Sequence, residues 1–339
     1  MPYVIPVFIP HRGCPHRCLF CNQQVIAGAE QAENQKVAGR ESEVSSQITT
    51  WLERPHRPGE VQVAFYGGSF TCLPRAEQER LLAAVQPFLR AGAVNGIRLS
   101  TRPDCVDKAT ALFLRERGVR VVELGVQSLD EQVLALAERG HGVRDCEQAA
   151  GQIRAAGLEL GVQLMPGLPG EDSRSFFRTV EQAIALAPAF VRIYPTLVIA
   201  GSALADLYEQ GGYRPLSLNR ALALAVWAKK RFSGAGIRVV RVGLQPSTAL
   251  ERDCLAGPYH PAFGELVASR IWLHRARHLL AGCPAGQQLR LTINERDLSA
   301  FVGQKRLNMK RLAALGLADR LDLVTSQTIA RGMLEYVVG

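Results

Sequence analysis

The chain of 339 residues lacks the features of a membrane protein, a disulfide scaffold or a disordered protein. It has no uninterrupted apolar run close to the roughly 20 residues of a membrane-spanning helix. Its start, Met1-Pro2-Tyr3-Val4, has no charged segment before an apolar stretch. Eight cysteines are too few for a disulfide scaffold of this length, and 47% hydrophobic residues are enough for a sizeable core. We therefore expect a cytoplasmic protein that does not contact a membrane.

Acidic residues are fewer than basic ones. The chain has 31 Asp and Glu against 40 Lys and Arg, which gives a formal net charge of +9. Much of the excess lies between Arg270 and Arg320, a segment that contains ten basic residues and three acidic ones. Such a surplus is typical of a phosphate-facing surface, but also of solvated helix faces in an Arg-rich protein. Both interpretations stay open on this pattern.

Up to about residue 245, β-branched runs alternate with segments of helical periodicity. This repeated order predicts an α/β fold, a partial or closed parallel (β/α) barrel of about six strands over residues 1–245. The candidate strands are Val4–Ile9, Val61–Tyr66, Ile97–Thr101, Arg120–Gly125, Leu158–Met165, Val191–Pro195 and Ile237–Val242. The candidate helices are Glu43–Glu53, Ala76–Leu89, Val106–Arg117, Glu131–Glu138, Arg144–Ala156, Ser173–Leu186 and Leu218–Phe232.

The pattern changes after Val242, where residues 246–264 are rich in Pro and Gly. A helix near Glu265–Leu280, a strand near Leu289–Asn294 and a basic helix near Leu298–Leu315 follow. Residues 246–339 are therefore predicted to form a small, basic α/β extension. The segment Gly257–Glu265 is interpreted either as a lid or substrate loop or as a Pro-defined turn before the next helix.

The loop after the first strand contains three cysteines, Cys14, Cys18 and Cys21, with the spacing C-x3-C-x2-C. Cysteine thiolates hold iron-sulfur clusters, usually four to a cluster, so three would leave one iron of a cubane open to a non-protein ligand. A structural zinc completed by His11 or His16 is the alternative. Zinc sites usually pair ligands from two separated clusters, and the sequence has no second cluster, so the spacing favours iron and sulfur.

The other five cysteines are isolated in the sequence. They are interpreted as packing residues, because none has a second cysteine at the spacing of a metal site. These residues are Cys72, Cys105, Cys146, Cys254 and Cys283.

The ends of the later candidate strands are unusually polar. Charged and amide groups in the mouth of a barrel are costly unless they are paired, so the sequence predicts a polar ligand there or a structural network among these residues. The segments are Ser100–Asp104, Glu123–Ser128, Gln163–Pro169 and Arg192–Thr196. The second strand ends in Gly67-Gly68, and two glycines let a ligand approach the main chain, although an ordinary turn explains them equally well.

The cysteine loop, with Phe20 just before its last cysteine, resembles that of the radical S-adenosylmethionine (SAM) superfamily. The segment Gly67-Gly68-Ser69 is similar to the Gly-Gly-Glu segment of that family, one βα unit later. The resemblance implies a [4Fe-4S] cluster on Cys14, Cys18 and Cys21 whose open iron binds SAM. It also implies reductive cleavage of SAM to a 5′-deoxyadenosyl radical, hydrogen abstraction from a substrate, and an electron donor such as flavodoxin or ferredoxin.

Residues 10–245 most resemble the radical SAM domain of the Elongator catalytic subunit and its bacterial and archaeal relatives. The matching phrases are Thr101–Asp104, Glu123–Ser128, Arg139–His141, Met165–Pro169 and Ile193–Ile199. Those enzymes modify the wobble uridine of tRNA, so the resemblance implies a transferase that acts on a tRNA nucleoside. The residues after 245 are too few for the acetyltransferase domain of that family, which we expect this chain to lack.

The same resemblance assigns the candidate site residues. Those implied for SAM are Gly67, Gly68 and Ser69 at its amino group, Ser100, Arg102 and Gln127 at its ribose and carboxylate, and Met165, Gly167 and Leu168 at its adenine. Arg192 and Tyr194 are the predicted catalytic residues on the substrate side.

Two other classes of function remain as alternatives. One is an RNA-binding protein with a structural metal cluster, in which Lys305, Arg306, Lys310 and Arg311 contact phosphates. The other is a metabolic barrel enzyme that a zinc ion stabilises.

Overall fold

The computed structural model describes residues 2–9, 14–22, 41–284 and 286–339. The chain divides into two compact units, Met1–Ala221 with Ala228–Tyr259 and Leu222–Trp227 with His260–Gly339. Within the described ranges, no helix is long and apolar enough to cross a membrane. The division into residues 1–245 and 246–339 stays a prediction.

The first unit is built on a parallel sheet of seven strands. Its strands are β1 (Tyr3–Phe8), β2 (Val61–Tyr66), β3 (Gly96–Thr101), β4 (Val119–Gln127), β5 (Glu159–Leu164), β6 (Phe190–Ile193) and β8 (Arg238–Val242), in the spatial order β1-β2-β3-β4-β5-β6-β8. All neighbouring strands pair in parallel. The predicted α/β partial barrel is confirmed, with seven strands where about six were predicted.

Two short strands form a separate antiparallel pair. They are β7 (Val198–Ile199) and β9 (Cys254–Ala256). The pair joins the segment after β6 to the Pro- and Gly-rich region, and the main chain N–H of Ala200 donates to the carbonyl of Asp253 at 2.8 Å. Part of the Pro- and Gly-rich region is thus fixed to the first unit.

The helices of the first part of the chain connect successive strands. They are α1 (Glu41–Leu52), α2 (Arg75–Ala83), α3 (Gln86–Arg90), α4 (Lys108–Glu116), α5 (Glu131–Leu136), α6 (Val143–Ala155), α7 (Ser173–Ala185), α8 (Ala203–Glu209), α9 (Leu218–Gly234) and α10 (Thr248–Asp253). Several begin at a side chain that accepts a hydrogen bond from the first turn, as Asp107 does from the N–H of Thr110. The predicted helix Ala76–Leu89 is divided into α2 and α3, because Pro87 has no N–H to donate to a preceding carbonyl.

The two faces of the sheet differ in polarity. Side chains alternate along a strand, so Leu99 and Val122 lie on one face while Arg98 and Glu123 lie on the other. The guanidinium of Arg98 donates to Gln62 at 2.8 Å and to Glu123 at 3.2 Å, and all three side chains are buried. The polar strand residues therefore share one face, which we call the polar face.

The second unit contains a long helix and a small mixed sheet. Helix α11 (Phe263–Gly282) precedes β10 (Leu289–Asn294), which pairs in parallel with β11 (Leu321–Ser326) and antiparallel with β12 (Leu334–Val338). Two helices, α12 (Leu298–Val302) and α13 (Leu307–Ala314), connect β10 to β11. The core of this unit includes Trp272, Leu273, Leu280, Leu289, Leu291, Ile293, Phe301 and Leu312.

The α/β class predicted for this region is confirmed, but two details of the prediction are wrong. Strands β11 and β12 were not predicted. The predicted basic helix Leu298–Leu315 is interrupted at Gly303–Arg306, where Gly303, Lys305 and Arg306 have φ values of 78°, 51° and 59°. A residue with positive φ cannot continue a right-handed helix, so the interruption is local and complete.

Cys72 and Cys105 were interpreted as isolated packing residues, and this was wrong. They form a disulfide across a sequence separation of 33 residues, with a Cα–Cα distance of 5.3 Å. Cys72 lies in the turn after β2 and Cys105 in the turn after β3. Because neighbouring parallel strands end at the same edge of a sheet, residues far apart in sequence meet there.

We expect a methyl group at Gly161 to destabilise the first unit. A Cβ there would lie 2.5 Å from the ring of Phe190 and 3.1 Å from Cγ of Glu123, both buried. Gly161→Ala should lower the free energy of unfolding by about 1–3 kcal/mol. Gly151 lies in α6 with no atom within 4 Å of a Cβ. Gly151→Ala should raise it by about 0.5–1 kcal/mol in the same urea titration. Equal effects of the two changes would contradict the packing at Gly161.

The disulfide should make a measurable contribution to stability. Closing a loop of this length restricts the unfolded chain, so the Cys72→Ser, Cys105→Ser double variant should be less stable by about 2–4 kcal/mol in non-reducing buffer. Wild-type and variant proteins should converge in reducing buffer. Thiol titration of the unfolded, unreduced wild-type protein should find the six free cysteines, and finding all eight would contradict the bond.

Candidate active site

The cysteine loop is held by main-chain contacts with two distant segments. The N–H of Leu19 donates to the carbonyl of Ala137 at 3.2 Å, and the carbonyl of Leu19 accepts from the N–H of Leu204 at 2.8 Å. The side-chain amide of Asn22 donates to the carbonyl of Ala200 at 2.7 Å. Residues 14–22 are thus fixed at the carboxyl edge of the sheet, where the sequence predicted a ligand site.

Two buried guanidinium groups lie beside the sulfur of Cys18. Arg139 donates to this sulfur at 2.9 Å, and Nη1 of Arg102 is 4.0 Å away. Burial raises the pKa of the Cys14 thiol, and so does Cys18, whereas Arg102 and Arg139 act to lower it. The pKa of Cys14 is raised overall, so the two arginines offset only part of the effect of burial and of the neighbouring sulfur.

Arg139 also fixes the segment that follows α5. Its Nη2 donates to the carbonyl of Gly125 at 2.6 Å, and its Nε lies 3.2 Å from Nε2 of His141. Burial and the neighbouring positive charges lower the pKa of His141 to about 4. A neutral imidazole accepts the hydrogen bond from Arg139, which places its proton on Nδ1, the atom that lies 3.8 Å from the sulfur of Cys146.

The ends of β2 and β3 form one hydrogen-bonded cluster. The hydroxyl of Ser69 lies 3.0 Å from that of Thr101 and accepts from the N–H of Arg102 at 3.1 Å. Gly67 has a φ of 88°, a conformation that favours glycine. Ser69 also donates its N–H to Cys14, which helps to lower the pKa of that thiol. The structure thus brings together the predicted residues Gly67, Ser69 and Arg102 beside the cysteine loop.

Gln127, at the end of β4, has the unusual φ of 68° for a residue other than glycine. Its carbonyl accepts from the N–H of Met165 at 2.9 Å, and its side chain accepts from Gln163 at 3.1 Å. Such a conformation costs about 1–3 kcal/mol and persists only where the surrounding structure enforces it. Ser100, also predicted to contact SAM, is partly exposed, on the same face of β3 as Arg98.

The turn after β5 contains Met165, Gly167 and Leu168, the residues predicted to lie at an adenine. Gly167 has a φ of 94°; its N–H donates to Glu171 at 2.6 Å, and its carbonyl accepts from the hydroxyl of Tyr213 at 2.6 Å. Among the described atoms, Oε1 of Glu171 has no hydrogen-bond partner. Burial raises the pKa of this carboxyl group to about 8. The turn is therefore fixed by a carboxyl group that is protonated at neutral pH.

The predicted catalytic residues Arg192 and Tyr194 meet at the end of β6. Nη1 of Arg192 donates to the hydroxyl of Tyr194 at 3.1 Å, and Nη2 donates to the hydroxyl of Tyr66 at 3.2 Å. The guanidinium also pairs with Glu123, at 2.8 Å between Nε and Oε2. Burial and the Glu123 charge raise the pKa of Tyr66 to about 12. This network shows that part of the polar face is internally paired, which was one of the two interpretations left open.

The assignment of a metal cluster to Cys14, Cys18 and Cys21 stays a prediction. In the described ranges, no group of three His, Cys, Asp or Glu side chains converges as a ready metal site. The ring of His16 packs over Gly140, and His11 lies outside the described residues.

Three residues of the site were not singled out by sequence reasoning. They are Arg98, Tyr66 and Glu171, and only their contacts across the sheet and with the turn after β5 identify them. Of these three residues, only Arg98 had a signal in the sequence, because it is a charged residue within a predicted strand.

We expect the fold to lose stability as the pH rises, because the buried carboxyl group of Glu171 resists ionisation in the folded protein. The folded protein keeps this proton up to about pH 8, whereas the unfolded chain loses it near 4.5, so stability falls through that window. Glu171→Gln keeps a side-chain oxygen that can accept from the N–H of Gly167, and its amide group does not titrate. The variant should gain on the order of 4 kcal/mol over wild type at pH 8 and almost nothing at pH 4.5.

Urea denaturation at several pH values would measure this difference. Glu181→Gln is the control, because Glu181 is exposed and its pKa is lowered by Arg231, below the pH window of interest. Parallel stability curves for Glu171→Gln and wild type would show that the carboxyl group is ionised in the folded protein.

The chain matches two family models. Residues 8–183 match the radical SAM superfamily, and residues 188–272 match the radical SAM C-terminal domain. An uncharacterised protein of Methanocaldococcus jannaschii is 30% identical over 232 residues, which are 66% of this chain and 69% of that protein. A tRNA uridine(34) acetyltransferase of the same organism is 27% identical over 262 residues, 67% of this chain and 48% of that protein. The chain thus spans about half the length of this acetyltransferase.

Solved structures share the fold. Elp3 of the archaeon Methanocaldococcus infernus, with an N-terminal deletion, has a TM-score of 0.63 and 22% identity over 79% of this chain and 62% of that chain. Coproporphyrinogen III oxidase from Escherichia coli has a TM-score of 0.52 and 21% identity over 69% of this chain and 53% of that chain. The superfamily model covers more than half of the sequence, from the end of β1 into α7, and confirms the predicted family. The chain belongs to the radical SAM superfamily.

Proposed function

We propose that this chain reductively cleaves SAM and uses the resulting radical to abstract a hydrogen atom from a tRNA nucleoside. The observation that carries the proposal is the position of the cysteine loop. Cys18 lies against two buried arginines at the edge of the sheet where the glycine segment and the polar strand ends meet. Ligands of parallel α/β folds bind at this edge.

The residues present fit a [4Fe-4S] cluster. Cys14, Cys18 and Cys21 would hold it, since they are three thiols on one short loop. Arg102 and Arg139 would offset the negative charge of the thiolates, which are otherwise costly to bury. When bound, the cluster would supply the electron for SAM cleavage.

The polypeptide would bind SAM and exclude water from it. Gly67 and Gly68 have no side chains to shield the main chain, and the N–H of Ser69 donates to Cys14. This segment would therefore bind the amino group of the methionine moiety of SAM. Ser100, Arg102 and Gln127 would contact the carboxylate and ribose. The turn that Glu171 fixes, with Met165, Gly167 and Leu168, would contact the adenine.

Arg192 and Tyr194 would orient the substrate. They form one network with Tyr66 and Glu123, so their polar atoms are held in place before a substrate arrives. The relative named tRNA uridine(34) acetyltransferase supports a tRNA nucleoside as the substrate. The proposal includes an external electron donor of the flavodoxin or ferredoxin type.

Anaerobic reconstitution with iron and sulfide tests the proposal. Wild-type protein should bind iron and sulfide, and should convert SAM to 5′-deoxyadenosine with dithionite as the reductant. Cys18→Ala should show neither property because it removes a cluster ligand. Cys254→Ala, which removes a free cysteine outside the loop, should keep both. Binding of zinc alone, or SAM cleavage by Cys18→Ala, would exclude the proposed mechanism.

The substrate is tested separately. The modified nucleosides of tRNA from cells with and without this protein should differ in at least one uridine derivative. Unchanged nucleosides, together with active SAM cleavage, would exclude tRNA as the substrate while keeping the radical mechanism.

A further inference from the structure

The second unit carries a positive charge that its own carboxylates do not offset. Between His260 and Gly339 there are eleven Lys and Arg but six Asp and Glu. Two of the carboxylates are paired within the small sheet and its flanking segments, since Asp297 pairs with Arg331 at 3.0 Å and Asp322 pairs with Arg290 at 2.6 Å. These two carboxylates therefore do not neutralise the cations of α13 and of the turn before it.

Four basic residues remain on the turn between α12 and α13 and on α13 itself. Lys305, Arg306, Lys310 and Arg311 are all exposed, and none of them makes an ion pair with a carboxylate in the described part of the chain. Arg311 lies close enough to Arg270 of α11 to help burial lower the pKa of Arg270. Like charges are thus held near one another, at a cost that a bound anion would relieve.

The turn Gly303–Arg306, which we call the basic turn, is rigidly built. Gly303 has a φ of 78°, and a Cβ on it would lie 3.0 Å from the hydroxyl of Ser269 and 3.2 Å from the main-chain N of Asn308, so this position favours glycine. The side-chain amide of Asn308, buried below the turn, donates to the hydroxyl of Ser269 at 2.9 Å and to the carbonyl of Phe301 at 2.9 Å. These hydrogen bonds fix the start of α13, directly after the turn, to α11 and α12.

The basic turn also contains backbone strain at its charged residues. Lys305 and Arg306 both have left-handed conformations, with φ values of 51° and 59°. Each costs about 1–2 kcal/mol for a residue with a side chain, whereas glycine would avoid the cost. The chain thus keeps two cations at positions where the fold alone would favour glycine.

We infer that the basic turn and α13 form a docking surface for the phosphate backbone of RNA. A turn whose backbone is already ordered binds phosphates without a further decrease in loop entropy. Leu307, the next residue, is 45% exposed and offers an apolar contact to an unstacked base. This surface lies beyond residue 272, where the second family match ends.

That the bound RNA is the substrate rests on the proposed function, but the docking surface does not. Its role would be to hold tRNA by its backbone, while the candidate active site selects the nucleoside. Binding to this surface should therefore be dominated by salt-dependent phosphate interactions and depend weakly on sequence.

Fluorescence anisotropy with an unmodified tRNA transcript tests the inference on the full chain. Replacing Lys305, Arg306, Lys310 and Arg311 by Ala should weaken binding by about tenfold or more at moderate salt. It should also reduce the slope of log affinity against log salt by up to about 0.7–0.9 for each phosphate that the variant no longer neutralises. A control variant removes four other exposed cations, Lys108, Arg80, Arg90 and Arg154, and should bind almost as well as wild type.

Arg306→Gly separates binding from folding. Glycine relieves the left-handed strain, so this variant should be at least as stable as wild type while it binds tRNA several-fold more weakly. Unchanged affinity and salt slope in the fourfold variant would overturn the inference, as would an equally weakened control variant. Equally weakened binding of the fourfold variant to duplex DNA or to anionic vesicles, with no preference for RNA, would also overturn it.

SAM cleavage without RNA distinguishes this inference from the proposed function. The fourfold variant should convert SAM to 5′-deoxyadenosine as fast as wild type, because it changes no residue of the candidate active site. If tRNA binds through these residues but no SAM is cleaved, the docking surface stands and the proposed function fails. If SAM is cleaved and the tRNA affinity does not depend on these residues, the docking surface is excluded and SAM cleavage by this chain stands.

Discussion

The buried guanidinium of Arg139 is the group on which the candidate active site depends. A buried cation must have its donors satisfied, and Arg139 satisfies them with the sulfur of Cys18, the carbonyl of Gly125 and the imidazole of His141. These groups belong to the cysteine loop, the end of β4 and the segment after α5. One side chain therefore fixes three separate parts of the chain at the same edge of the sheet. Its charge, together with burial, also lowers the pKa of His141.

A second buried charge organises the polar face. The carboxylate of Glu123 lies between Arg98 and Arg192, both within 3.2 Å, and it also accepts from the hydroxyl of Tyr66 at 3.1 Å. Buried ion pairs of this kind contribute little net stability compared with apolar packing, but removing one partner is costly. The network is therefore better explained by its rigidity, which keeps polar atoms at fixed positions beside Arg192 and Tyr194 for a substrate. Gly161 has no side chain because Glu123 and Phe190 already fill that space.

The sequence was a good guide wherever a property repeats along the chain. The β-branched runs located the strands of the sheet, since burial on a parallel sheet needs such residues over several positions. It was a poor guide where one residue changes the backbone locally. Pro87 divided one predicted helix, and the left-handed turn from Gly303 divided another. Strands β11 and β12 were not predicted because neither has the pattern of a buried strand: no residue of β11 is fully buried, and most of the residues of β12 are exposed.

By itself the sequence determined the order of the strands and helices, the cysteine spacing and the polar residues at strand ends, because each depends only on neighbours in the chain. Only the tertiary structure decided which of these residues meet. Cys72 bonded to Cys105, Arg139 beside Cys18, and Glu171 below Gly167 are pairs that sequence spacing did not identify. The physical reason is that a parallel sheet brings the ends of successive βα units to one edge. The pairing of charges and thiols there depends on side-chain direction and burial, which exist only once the sheet has formed.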